Sequence, residues 1–187
     1  SITYDTAGNA DTRTVNGVLY EHTYDGADRQ RAVVTSPDGT YDLYWYDGRG
    51  ARNLVMTTGP SGVVTRVKWT FGNTEIWYDG DGDVERSFAA ASLDGHDVRV
   101  ADGTDVEHHF NDARGHLIAA VGDDGALQGG FRYGPYGELL EEVGTQSGDL
   151  LRRFNGKERD DTTGLSYYGY RYFDERTLTW TQADPLY

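Results

Sequence analysis

The 187 residues contain no cysteine. That excludes a disulfide framework, a thiolate zinc site and a cysteine nucleophile, and leaves the cellular compartment open. Proline occurs only 4 times, which does not fit a proline-rich linker. The longest apolar run, Leu117-Ile118-Ala119-Ala120-Val121, falls far short of a membrane span. Basic residues are scarce: 17 Lys and Arg stand against 31 Asp and Glu, a net charge of −14. Nucleic-acid binding is led by cations that neutralise phosphates, so this balance argues against it, and against an anionic membrane surface. The start, Ser1-Ile2-Thr3-Tyr4, has neither an initiator Met nor a basic-then-apolar leader, so the chain reads as a piece of a longer one. Neither a Gly-x-Ser-x-Gly elbow nor a phosphate-binding loop occurs.

What is abundant is glycine, 25 residues, with 14 tyrosines and 4 tryptophans. Many glycines with many aromatics suit short strands joined by tight turns. The sequence repeats. Thr3-Tyr4-Asp5-Thr6-Ala7-Gly8 returns as Thr23-Tyr24-Asp25-Gly26-Ala27-Asp28 and as Trp45-Tyr46-Asp47-Gly48-Arg49-Gly50. Looser copies start at Phe110-Asn111, Phe131-Arg132 and Phe154-Asn155, and Tyr78-Asp79-Gly80 falls off the strict beat. The period is about 21 residues, a sign of a repeat architecture. In one unit an aromatic ends a strand. An Asp or Asn then bonds the backbone two residues on, and the Gly that follows supplies positive φ. A second strand runs to another turn, such as Ser36-Pro37-Asp38-Gly39, Gly59-Pro60-Ser61-Gly62 or Asp123-Asp124-Gly125.

Tyr41 to Tyr46 and Val63 to Trp69 alternate with period two and are rich in aromatic and β-branched residues, which marks strands. The spacing predicts no long helix. Gly137 to Val143 reads as one or two helical turns, and Ser87 to Leu93 as strand. About nine periods of two strands give roughly eighteen antiparallel strands. At about 4.8 Å each, one sheet would be roughly 85 Å wide and would have to curl into a wall or spiral. The expected fold class is all-β, antiparallel hairpin repeats curling into a wall.

These Tyr-Asp turns resemble the YD repeats of Rhs proteins, toxin-complex C subunits and teneurins. Arg153-Phe154-Asn155-Gly156-Lys157-Glu158-Arg159-Asp160, then Thr163-Gly164-Leu165, Tyr167 to Asp174 and Trp180-Thr181-Gln182-Ala183-Asp184-Pro185, resemble the Rhs repeat-associated core domain. The resemblance implies a YD-repeat region over 1–145 and the N-terminal part of a core domain over 146–187, truncated at Tyr187. It implies a bacterial, secreted or cell-surface protein whose β-ribbon forms a shell around a C-terminal toxin or effector. Its partners would be the remainder of its parent chain, the enclosed toxin, and a secretion-system or toxin-complex component. It further implies an aspartyl autoprotease in the parent, with Asp184 as one carboxylate and Arg171 as a required arginine.

An aspartyl site needs two carboxylates that share a proton. The chain stops at Asp184-Pro185-Leu186-Tyr187 without a second Asp-Pro, so Asp184 is expected to be a half-site and the chain not a self-sufficient enzyme. If Tyr167 to Phe173 is one strand, Arg171 shares a face with Tyr167 and Phe173. There it would either orient a carboxylate or stack on the rings. Asp79, Asp81 and Asp83 fail as a calcium loop, with Val84 at the glycine position and Ala90 at the glutamate position, and read as an exposed acidic turn. His108 and His109 would point to opposite strand faces. His22, His96 and His116 have no spaced partner. No metal or cofactor is expected. The tyrosines at 167, 168, 170 and 172 offer a third reading, a carbohydrate-binding adhesion module, against simple packing of an aromatic ladder.

Overall fold

A computed structural model of the chain describes residues 1–93, 96–145 and 147–184. Fourteen strands form one antiparallel sheet in strict sequence order. They are β1 (Ile2–Tyr4), β2 (Ala10–Val15), β3 (Val18–Tyr24), β4 (Gln30–Ser36), β5 (Tyr41–Tyr46), β6 (Arg52–Thr58) and β7 (Val64–Phe71), followed by β8 (Thr74–Asp79), β9 (Val84–Leu93), β10 (His96–Ala101), β11 (Asp105–Asn111), β12 (Leu117–Gly122), β13 (Leu127–Tyr133) and β14 (Leu139–Val143). The sheet is open, with β1 and β14 as its edges. A second sheet of four short strands follows: β15 (Glu158–Arg159), β16 (Ser166–Tyr167), β17 (Tyr172–Asp174) and β18 (Thr179–Trp180). Among the described residues no helix is long and apolar enough to cross a membrane.

The strand content follows the sequence reading, but not as one ribbon. Four of the strands leave the large sheet and lie in a separate layer. Ser87 to Leu93 falls within β9, as the pattern predicts. Gly137 to Val143 is not helical: Gly137 closes a turn, and Leu139 to Val143 pair with β13 as an edge strand. The ladder supplies hydrogen bonds that so short a helix would leave unmade.

The repeat is an Asx turn. Asp5 Oδ1 accepts the amides of Ala7 and Asn9, at 2.9 and 2.8 Å. Asp25, Asp47, Asp79 and Asp112 each accept the amides two and four residues on in the same way. Positive φ falls three residues after the Asp, on Gly8 at 88° in the first repeat, as the sequence reading expects, but not on the Gly26 that directly follows Asp25. Gly50 has φ 84°, and at the same place in its repeat Asp28 has φ 57°. This also corrects the alignment of the loose copies. Asp112, not Asn111, is the acceptor, so Asn111 rather than Phe110 takes the aromatic position. In the next copy Tyr133, not Phe131, precedes the turn. The Phe154 copy is likewise shifted, because Arg153 takes the Asp position: its amide bonds the carbonyl of Lys157 at 3.0 Å.

Each such turn carries a β-bulge at the preceding aromatic, between Thr3 and Tyr4, Thr23 and Tyr24, and Trp45 and Tyr46. The tyrosines then tie successive units together. Tyr24 Oη donates to the Ala10 carbonyl at 2.8 Å, Tyr46 Oη to Gln30 at 2.7 Å, and Tyr133 Oη to Leu117 at 3.0 Å. In each case the acceptor is the first residue of the strand that leaves the previous turn on the same edge. A period holds two strands, so those turns line one edge of the meander. The turn after Tyr78 joins β8 to β9 and lies on the opposite edge, which is why it missed the beat.

Candidate functional site

Residues 147–184 form a layer against one face of the large sheet. Three apolar clusters join the two. Leu165 and Tyr172 pack with Val15, Tyr20, Val33, Tyr44 and Val55; Leu151 with Trp77, Phe88 and Ala101; and Leu150 with Leu117, Ala120 and Phe131. Burying each of these leucines contributes about 1.5–3 kcal/mol. Gly129 makes room for one of them, since a Cβ there would collide with Leu150 Cδ1.

Between the clusters the junction is ionic, and it is buried. Arg52 Nη2 donates to Glu158 Oε1 at 2.8 Å and Nη1 to Asp160 Oδ2 at 2.9 Å. Its guanidinium lies 4.6 Å from the centre of the Tyr167 ring. Lys68 Nζ also pairs with Glu158, and Tyr44 Oη donates to Asp160 Oδ2 at 3.0 Å. Burial alone would lower the pKa of Arg52, but the Asp160 charge and the surrounding hydrogen bonds hold it well above the ordinary arginine value. Further along, Arg13 pairs with Asp174 and donates to the Thr163 carbonyl at 3.0 Å. Beside it His22 accepts from Arg13 Nε at 3.2 Å. Burial and then the Arg13 charge lower its pKa to about 4, so the imidazole is neutral.

Arg171 and Asp184, singled out in the sequence, are brought together: Nη2 lies 3.0 Å from Oδ2. The guanidinium also sits 4.1 Å from the Trp180 ring centre, so Arg171 both holds a carboxylate and stacks. It does so from a different backbone than expected. Tyr167 to Phe173 is not one strand but a hairpin, β16 to β17, closed by the Tyr168 amide on the Arg171 carbonyl at 2.9 Å with Gly169 at φ 91°. The glycine inside the tyrosine run makes the bend. The pair is partly open to solvent, with Arg171 and Asp184 at 25% and 31% exposure. Pro185, Leu186 and Tyr187 lie outside the described residues.

The remaining candidates are structural. Asp79 caps its exposed turn. His108 pairs with Asp123 and His109 with Glu107, on opposite faces. His116 stacks on Phe154 at 4.1 Å. The side chain of His96 lies outside the described residues. Among the described residues no group of His, Cys, Asp or Glu is arranged to hold a metal ion. The hydroxyls of Tyr167 and Tyr172 are engaged in the junction, with the Arg52 amide and with Tyr46. The sequence reading missed Arg13, Arg52, Lys68 and Asp42. Their one local signal is a charged residue at an alternate position of a strand, which ordinarily marks the solvent face.

No protein-family model matches the chain. It is 28% identical over 189 residues, 99% of its length, to the tRNA nuclease WapA of Bacillus subtilis and to the tRNA3(Ser)-specific nuclease WapA of Bacillus spizizenii. It spans only 8% of those relatives. Over 84 residues, 43% of the chain, it is 31% identical to the toxin subunit YenC1 of Yersinia entomophaga. Among solved structures, TcdB2-TccC3-Cdc42 matches 97% of the chain with a TM-score of 0.83 at 21% identity, over 10% of that chain. The Tc holotoxin pore of Photorhabdus luminescens matches 97% at 0.79 and 20% identity, over 9% of that chain. An Asx turn recurring after tyrosine, a wall of hairpins built from it, a C-terminal layer clamped on one face and relatives of this kind all fit the Rhs/YD-repeat family that the sequence resembles.

Proposed function

We propose that the chain is a length of wall, with its locking layer, from a shell that encloses a C-terminal toxin or effector segment of its parent. The observation that carries this reading is a fourteen-strand meander, open at both edges, with one face held by a second layer. Edge strands expose unpaired backbone groups. β1 and β14 would pair with neighbouring hairpins of the parent chain, extending the wall. In this reading residues 1–145 are the wall and 146–187 the start of the core domain. The protein is bacterial and secreted or at the cell surface, and its partners are its own parent chain, the enclosed segment and a toxin-complex or secretion component. The wall itself performs no catalysis and binds no nucleic acid; nuclease activity would belong to the enclosed segment. The test is protease digestion of the parent chain. The C-terminal segment should survive in the folded parent and be digested once Arg52→Ala loosens the junction. Equal digestion of the enclosed and the isolated segment would refute it.

The Arg171–Asp184 pair supports a second role in the parent. Asp184 would be one carboxylate of an aspartyl autoprotease and Arg171 the group that orients it, with the second carboxylate supplied downstream. Asp184→Asn should then leave the parent uncleaved while its wall stays folded. Cleavage at the wild-type rate would remove Asp184 from the chemistry.

A further inference from the structure

Where β5, β6 and β7 meet the C-terminal layer there is a cavity of about 260 Å3, with Asp42, Thr57, Lys68, Asp160, Asp161 and Trp77 in its walls. Its charges do not balance. β6 contributes Arg52 and β7 contributes Lys68, and both are committed to Glu158 and Asp160. Arg66 of β7 stands at the open rim, over the Trp77 ring and paired with the exposed Glu85. β8 adds Glu75, which takes the indole N–H of Trp77. On the other side of Asp42, β4 offers Val33, without charge. The two buried cations are thus both spent on Glu158 and Asp160, which leaves no buried cation for Asp42, while Asp161 is exposed and Arg66 lies at the rim. Asp42 is 1% exposed, and among the described residues it has no ion-pair partner; it accepts the Thr57 hydroxyl at 2.7 Å. Asp160 Oδ1, also buried, has no hydrogen-bond partner.

We propose that Asp42 is a proton-operated latch on this junction: neutral, it lets the C-terminal layer seat on the wall, and ionised, it repels Asp160 and loosens that layer. A second buried carboxylate without a cation is unfavourable, and taking up a proton removes the cost. Burial first, and then the Asp160 charge, raise the pKa of Asp42 from 3.8 to about 6. The seated state thus holds a proton that the released state gives up. Seating is tightest at low pH and weakens as pH rises toward and through 6. The latch does not depend on what the wall surrounds, so it can fail or hold separately from the shell reading.

Hydrogen exchange at the amides of Arg52 and Ala10, which donate across the junction to the Tyr167 hydroxyl and the Thr181 carbonyl at 2.9 and 2.7 Å, reads the seating directly. The 187-residue chain and its Asp42→Asn variant are compared at each pH, so that intrinsic exchange and the titration of His22 cancel. The wild type should exchange within a few-fold of the variant at pH 4 and roughly 100-fold faster at pH 7 and above. A ratio that stays flat from pH 4 to 8, or a variant less protected at pH 7, would overturn the proposal. Carbon-13 titration of the Asp42 carboxyl in the wild type tests it without a variant: a midpoint near 6 supports the latch, and one below about 4.5 refutes it.

Discussion

Removing Arg52 should detach the C-terminal layer more than any other single change on the wall. Its guanidinium is the shared partner of Glu158 and Asp160, at 2.8 and 2.9 Å, and its side chain is 2% exposed. Arg52→Met keeps much of the volume but leaves two buried carboxylates to one ammonium, Lys68. Losing one partner of a buried ion pair costs about 3–5 kcal/mol. For a chain of this size that is a fall in Tm of roughly 8–16 °C. Adding Asp160→Asn restores the balance, one ammonium to one carboxylate, because Lys68 keeps Glu158. The double variant should regain more than half of the loss. Urea and thermal melts of the wild type, both singles and the double measure the coupling. A cost below 1 kcal/mol for Arg52→Met, or no recovery in the double, would show that Arg52 does not hold the layer.

Four further outcomes follow from the same geometry. Gly129→Ala should cost about 1–3 kcal/mol in a urea melt, because the new methyl meets Leu150. Tyr46→Phe should cost about 0.5–1.5 kcal/mol by the same assay, through the lost bond to the Gln30 carbonyl. His22 has a folded pKa of about 4 against an ordinary 6.5, so its contribution is complete above 6.5 and is lost as pH falls to 4. That loss is about 3 kcal/mol, read as the difference between wild-type and His22→Gln melts at each pH, because Asp42 contributes with the opposite sign over the same range. Arg171→Ala should change stability by less than about 1 kcal/mol, since the pair with Asp184 is partly solvated; a larger loss in a thermal melt would make the pair structural.

The turn chemistry was legible in the sequence because it is local. An Asp side chain reaches the amides two and four residues on, so the Tyr-Asp pair announces its own turn at Asp5, Asp25 and Asp47. The loose copies were placed one or two residues off because aromatics crowd there, and only the hydrogen bonds single out Asp112 and Tyr133. Arg171 and Asp184 emerged from motif resemblance, and the fold sets them 3.0 Å apart. Nothing local connects Arg52 with Asp160, 108 residues away.

Period-two alternation determined that Val64–Phe71 is a strand, and the repeating turns determined that strand follows strand in order. Which side of those strands is inside was a tertiary decision. By hydrophobicity Val63 and Trp69 belong within, yet Val63 is 62% and Trp69 41% exposed, while Lys68 between them is 7% exposed. In β5 the inward row is Asp42, Tyr44 and Tyr46, and Trp45 looks out. The C-terminal layer brings Glu158, Asp160 and Asp174 to the sheet, and buried carboxylates require cations and hydroxyls opposite them. The layer therefore covers the charged face, a choice that depends on residues a hundred positions downstream and that no single strand encodes.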